Sequence, residues 1–226
     1  LGHEVAGEVV KIGAKVTKFK VGDKVLIEPG VPDDTCEYCR TGRYNICPGV
    51  DFMATQPNYK GALTQYMTHP EEWTYHIPEG MTTMEGALVE PAAVGMHAAV
   101  LGGAQPGKSI VILGGGTIGL MVLQACISLG ATDITVVDVI EKRLELAKKL
   151  GAARVINGKE EDTVAVLRSE EMYGDHGVDL VFEAAGAVFT AQQAVQIVSR
   201  GGKIMMVGTQ SKPVPIDFLK INREVT

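Results

Sequence analysis

The feature that most constrains this chain is a glycine-rich turn placed between a strand and a helix. Ser109–Leu113 is a short apolar run, Gly114-Gly115-Gly116-Thr117-Ile118-Gly119 follows it, and residues 117–129 then carry helical spacing up to Gly130. Gly114, Gly116 and Gly119 occupy the three glycine positions of G-x-G-x-x-G. The first permits a tight turn, the second lets the backbone approach a pyrophosphate, and the third lets the helix pack closely on the strand. Backbone N–H groups at the start of that helix then face an anion. The next apolar run, Ile134–Val137, ends in Asp138, 19 residues after Gly119, near the spacing of about 20 expected for an acid that binds ribose. A carboxylate there accepts bonds from the ribose hydroxyls and repels a 2′-phosphate, which favours NAD over NADP. Two other readings stay open on the residues alone: Asp138 as a cap of the following helix, and the turn as part of an S-adenosylmethionine site.

The alternation continues to the end of the chain. The pattern predicts helices over 141–150, 160–172 and 189–199 and strands over 154–156, 179–182 and 203–207. Apolar strands between amphipathic helices indicate a doubly wound parallel sheet covered on both faces. The segment before it reads differently. Residues 5–27 and 61–77 are strand-like. Residues 28–60 form a long irregular excursion with Pro29, Pro32, Pro48 and Pro57, and a loop of that length usually has a job or its own staple. Thr82 and Glu85 have the spacing of a capping box, opening helical character that runs to about Leu101. A small β region thus precedes an α/β region, with expected bounds of 1–92 and 93–226.

Cys36, Cys39 and Cys47 lie within twelve residues in the irregular excursion. Three thiolates at this spacing can close around a tetrahedral zinc, with Asp33 as the fourth donor. Such a closed site leaves no position for substrate and would be structural; reduced, unligated thiols are the alternative. His3-Glu4 and Glu90, which precedes Pro91, are further candidate donors, although a lone His-Glu pair is more often an ordinary surface pair. A formal net charge of −6 does not point to nucleic acid or an anionic membrane as a partner. No apolar run reaches the roughly 18 residues of a membrane span. Leu1-Gly2-His3-Glu4 does not read as a signal peptide, so a cytoplasmic location is expected.

Taken together, these segments resemble the zinc-dependent medium-chain alcohol and polyol dehydrogenases, in particular the sorbitol (L-iditol) dehydrogenase branch. The resemblance rests on Gly2-His3-Glu4 with Gly7 and Val9, Gly22-Asp23-Lys24-Val25, Glu28-Pro29-Gly30, Gly42-Arg43-Tyr44-Asn45 and Ala87-Leu88-Val89-Glu90-Pro91. It implies a GroES-like catalytic domain, incomplete here, followed by a Rossmann NAD-binding domain. It implies that His3 and Glu4 ligate a catalytic zinc, with Glu90 at that zinc directly or through water. Gly114, Gly116, Ile118 and Gly119 would contact NAD, Asp138 and Arg143 the adenosine ribose, Val207-Gly208-Thr209 the nicotinamide side, and Phe52 the substrate. The implied activity is hydride transfer from a polyol or secondary alcohol to NAD in a dimer or tetramer. Butanediol or threonine dehydrogenases and a zinc-free dinucleotide-binding relative are the alternatives. The family's first zinc ligand, a cysteine upstream of the His-Glu pair, and the segment that completes the catalytic domain fall outside Leu1–Thr226. On that basis the 226 residues alone are expected to be inactive.

Overall fold

A computed structural model describes residues 1–55, 60–219 and 221. The chain divides into two compact units, Leu1–Glu90 and Pro91–Thr226.

In the first unit, β1 (Ala6–Glu8), β2 (Lys24–Ile27) and, later in the chain, a strand at Thr74–His76 form a three-stranded antiparallel sheet, with β2 in the centre. Between them lie β3 (Gly30–Val31), α1 (Glu37–Arg40) and β4 (Asp51–Phe52), which pairs with β3; the Thr74–His76 strand is β5. The irregular excursion expected over residues 28–60 is therefore organised by one short antiparallel strand pair and two helical turns, α1 and a 3-10 turn at Tyr44–Ile46, and its residues 56–59 lie outside the described part. Residues 61–77 hold less strand than the sequence suggests. The backbone at 62 and 63 instead donates to the carbonyls of Gly2 and Leu1 at 2.8 and 3.0 Å, which fixes the approach to His3.

Helix α2 (Thr83–Ala87) starts at the expected capping box. Thr82 Oγ1 accepts from Glu85 N at 3.2 Å, and Glu85 Oε2 accepts from Thr82 N at 2.8 Å. These bonds hold the Glu85 carboxyl below its ordinary value of 4.5. A lowered folded value contributes stability that is complete above the unfolded value and is lost as pH falls through the folded one. Thr82→Ala should therefore lower Tm by roughly 2–4 °C near neutral pH, and that penalty should shrink as pH falls through the folded value of Glu85. Thermal melts across an acid pH series check this. Helix α3 (Val89–Gly102) follows, with Glu90 in its first turn.

The second unit is the expected parallel sheet. Its strands are β6 (Ser109–Leu113), β7 (Asp133–Asp138), β8 (Arg154–Asn157), β9 (Val178–Glu183) and β10 (Val198–Met206), in the order β10-β9-β6-β7-β8. The connecting helices are α4 (Thr117–Ser128), α5 (Glu141–Lys149), α6 (Thr163–Leu167) and α7 (Val188–Ile197). Side chains alternate across the sheet, as period-two geometry requires. Ile110, Ile112, Ile134, Val136, Leu180 and Phe182 join one buried cluster with Leu123 and Cys126 of α4. Val111, Leu113, Val137, Ile156 and Val181 join the other, with Leu167 of α6 and Ala194 and Ile197 of α7. Truncating one of the fully buried members, such as Leu123, removes about 2–5 kcal/mol. Cys126 is among them; burial pushes its thiol up to about 12, so it packs as a hydrophobe.

One helix is shorter than its periodicity suggests. Residues 160–172 hold only Thr163–Leu167, because Asp162 caps the start by accepting from Val164 N and Ala165 N at 3.0 and 3.1 Å. Arg168 ends it with its guanidinium on the carbonyls of Asp175, Gln196 and Val198. Residues 222–226, where the resemblance places the approach to a sixth strand, lie outside the described residues.

Candidate active site

The glycine turn sits at the carboxyl end of the central strand β6, where a doubly wound sheet binds its ligand. Gly114 has φ +110°, and a Cβ there would lie 2.8 Å from Ala185 N. A Cβ on Gly119 would overlap the carbonyl oxygen of Gly114. Gly116 is the N-cap of α4 and offers no side-chain cap, so the first N–H groups of that helix remain available to an anion. Ile118 is partly buried and packs against the core.

Asp138 closes β7 beside this turn. Its Oδ2 accepts from Gly115 N at 2.7 Å, and its Oδ1 from Val139 N and Ile140 N at 2.8 and 2.9 Å. Arg143 Nη1 stands 3.4 Å from Oδ2. The cap of α5 is Ile140, so Asp138 organises the turn ahead of that helix and is not itself the N-cap residue. Its side chain is only 5% exposed and that of Arg143 is 48% exposed. Asp138→Asn removes the charge and puts an amide N–H group where a carboxylate oxygen accepts from the backbone. It should weaken NADH about tenfold and narrow the preference for NADH over NADPH by a similar factor, read by fluorescence titration. An unchanged preference would count against the ribose role.

Val207 N and Gly208 N both donate to the carbonyl of Glu183 at 2.8 Å, which places the 207–209 segment beside the carboxyl end of β9; Thr209 is exposed. Glu183, fully buried at that strand end, was not a candidate on sequence. The only signal is an acid closing a strand whose preceding three residues, Leu180-Val181-Phe182, are apolar.

In the first unit, His3 Nε2 lies 3.9 Å from Glu90 Oε1, with side chains 37% and 15% exposed. Burial raises the Glu90 carboxyl, His3 pulls it down, and the charge of Glu4 raises it again. The residues brought together are thus His3 and Glu90, with exposed Glu4 close enough for its charge to act on Glu90. Phe52 is set edge-on to the His3 ring, with centroids 5.2 Å apart. It is placed by its pairing with Gly30, where a Cβ would come within 3.2 Å of the Phe52 ring. A zinc about 2.1 Å from an imidazole nitrogen and a carboxylate oxygen holds them about 3.4 Å apart, so His3 and Glu90 fit a shared cation after closing by about half an ångström. Two cavities of this unit, about 710 and 880 Å³, are lined by neither His3, Glu4 nor Glu90.

The cysteine loop is tighter. One ligand atom from each of Asp33, Cys36, Cys39 and Cys47 lies within 4.8 Å of all the others, and among the described residues this is the one such group of three or more metal-ligating side chains. Cys36 Sγ and Cys39 Sγ are 3.3 Å apart, and Cys39 Sγ is 3.6 Å from Asp33 Oδ1. Zinc with thiolates at about 2.3 Å sets sulfur atoms about 3.8 Å apart, so the donor set fits with small adjustment. Asp33 is held down to about 2 by the N–H groups of Thr35 and Cys36. Partial burial and the neighbouring Cys36 and Cys47 push the Cys39 thiol up to about 12. A carboxylate and three thiols this close cannot all carry negative charge without a cation among them.

The class defined by this fold is a Rossmann-type dinucleotide-binding sheet preceded by a small β unit rich in metal-ligating side chains. Comparison with known proteins places it further. Residues 1–79 match the alcohol dehydrogenase GroES-like domain and residues 117–226 match the zinc-binding dehydrogenase model. The whole chain is 64% identical to a zinc-type alcohol dehydrogenase-like protein of Escherichia coli, covering 65% of that protein. Over 98% of its length it is 43% identical to sorbitol dehydrogenase of Bacillus subtilis, covering 63% of that enzyme. A crystal structure of an Escherichia coli oxidoreductase/dehydrogenase of unknown specificity superposes on all of this chain with a TM-score of 0.96 at 63% identity, the chain covering 64% of it. The chain belongs to the zinc-binding alcohol dehydrogenase family, and it spans just under two thirds of the relatives it matches. The S-adenosylmethionine alternative does not survive this assignment.

Proposed function

We propose that this chain forms the metal-binding and dinucleotide-binding parts of a zinc-dependent oxidoreductase that transfers a hydride from a polyol or secondary alcohol to NAD, giving a ketose or ketone. The observation that carries this reading is His3 set against the poorly solvated carboxyl of Glu90. Zinc at such a site supplies Lewis acidity to a substrate hydroxyl, and NAD supplies the hydride acceptor. His3, Glu4 and Glu90 are the residues of this chain that would hold the metal, Glu90 directly or through water; one thiolate from the family's upstream cysteine and one carboxylate would leave the zinc little net charge, which suits a neutral alcohol. Phe52, edge-on to His3, gives the substrate an apolar wall. Gly114, Gly116, Ile118 and Gly119 would contact NAD, with Asp138 and Arg143 on the adenosine ribose and Val207, Gly208 and Thr209 lining the nicotinamide side. The Asp33, Cys36, Cys39 and Cys47 set would hold a second, structural zinc.

The expected partner is a small polyol, in a dimer or tetramer located in the cytoplasm. Among the described residues no helix is long and apolar enough to cross a membrane. NAD reduction by the full-length protein against sorbitol, xylitol, butanediol and threonine tests the proposal. Turnover of sorbitol or xylitol supports the polyol reading, and turnover of butanediol or threonine alone would move the protein to another branch. Silence across the panel with NAD still bound would favour a relative that binds the dinucleotide without this chemistry.

A further inference from the structure

The second unit contains a fully buried carboxylate that the proposed function leaves unassigned. Glu183 closes β9 and is 0% exposed. Its Oε1 accepts from Ala185 N at 3.1 Å, Gly186 N at 3.0 Å and Thr190 Oγ1 at 2.6 Å. Its Oε2 accepts from Gln210 Nε2 at 3.1 Å. Its main-chain carbonyl takes both Val207 N and Gly208 N at 2.8 Å. One residue therefore ties together two loops at the carboxyl edge of the sheet, 184–187 after β9 and 207–210 after β10.

The loops meet backbone to backbone. A Cβ on Gly208 would lie 2.6 Å from Glu183 Oε2, and one on Gly186 would lie 2.7 Å from the carbonyl oxygen of Thr209. The first loop also touches the phosphate turn, since Ala185 N lies 2.8 Å from where a Cβ of Gly114 would be. Burying a carboxylate is costly unless it is fully hydrogen-bonded. An apolar residue would fill a strand end at less cost, so the placement of Glu183 calls for a role in these loops.

We infer that Glu183 is a positioning residue that holds the 207–210 loop in the geometry that receives the nicotinamide half of the cofactor, with Gln210 as its latch. This rests on the proposed NAD reading of the same sheet edge. Gln210 is the informative position, because it is only partly buried and its replacement leaves the core untouched. Gln210→Glu sets a carboxylate against Glu183 Oε2 and drives the loop off. The double variant Glu183→Gln/Gln210→Glu exchanges the partners, so that the new amide donates to the new carboxylate while its carbonyl keeps the three Oε1 donors.

The test is calorimetric titration of the full-length protein and both variants with NADH and with ADP-ribose, which lacks the nicotinamide. Gln210→Glu should weaken NADH by about tenfold or more, from like charges at hydrogen-bond distance, while ADP-ribose stays within about twofold and the double variant recovers NADH. Equal loss of both ligands would mark Glu183 as merely structural and overturn the inference. So would an unaltered NADH affinity in Gln210→Glu, or a double variant that recovers nothing. A parent protein that gains nothing from NADH over ADP-ribose would overturn the nicotinamide reading itself, whereas a parent that prefers NADH beside a silent Gln210→Glu would overturn the positioning role alone.

Discussion

In the full-length protein, His3→Ala should lose one zinc per chain and reduce kcat/KM by about a thousandfold or more, with the fold intact. The imidazole is the only neutral donor in the proposed set, and removing it leaves Glu4 and Glu90 as two like charges with less hold on the metal. The loss of a Lewis acid that stabilises an alkoxide is worth several kcal/mol, or about three orders of magnitude in rate. The fold should tolerate the change. The His3 side chain is 37% exposed, and the segment is secured by main-chain bonds from residues 62 and 63 to Gly2 and Leu1. Metal analysis with steady-state kinetics checks it, and a His3→Ala variant with full activity would remove His3 from the metal site.

Gly119→Ala should be the most damaging single-methyl change in the second unit. The added Cβ would overlap the carbonyl oxygen of Gly114. Neither atom is the end of a flexible side chain, so the turn itself must open. Gly114 cannot retreat easily, because its own Cβ position is already 2.8 Å from Ala185 N. Overpacking against backbone costs roughly 3 kcal/mol or more, and displacement of the α4 N-terminus should weaken NADH at least about a hundredfold. Denaturant unfolding and NADH titration would show both effects. Wild-type NADH binding in Gly119→Ala would separate the turn from the cofactor.

The parallel sheet was legible because its evidence is local. Apolar strands, the three glycines of the turn and the Thr82–Glu85 capping box each declare themselves within a few residues, and Asp138 could be placed by its distance from Gly119. The Asp33 and cysteine set was legible for the same reason, since its donors lie in one loop. What could not be read depends on pairs far apart in the chain. Nothing local announces that Ser109 N and Oγ donate to Asp179, or that Phe52 would face His3. The extent of α6 is not legible either, because the 160–172 periodicity does not reveal that the Arg168 side chain is spent on the carbonyls of distant segments. Glu183 is hidden in the sequence because an acid at a strand end is ordinary there, and only the fold surrounds it with donors from α7 and two loops.

Zinc removal and restoration, followed by NAD reduction with sorbitol in the full-length protein, tests the central claim most directly. The account predicts that turnover disappears with a strong chelator and returns when zinc is added back, while NADH still binds the stripped protein through the second unit. Turnover that persists at its original rate after all zinc is removed would contradict it.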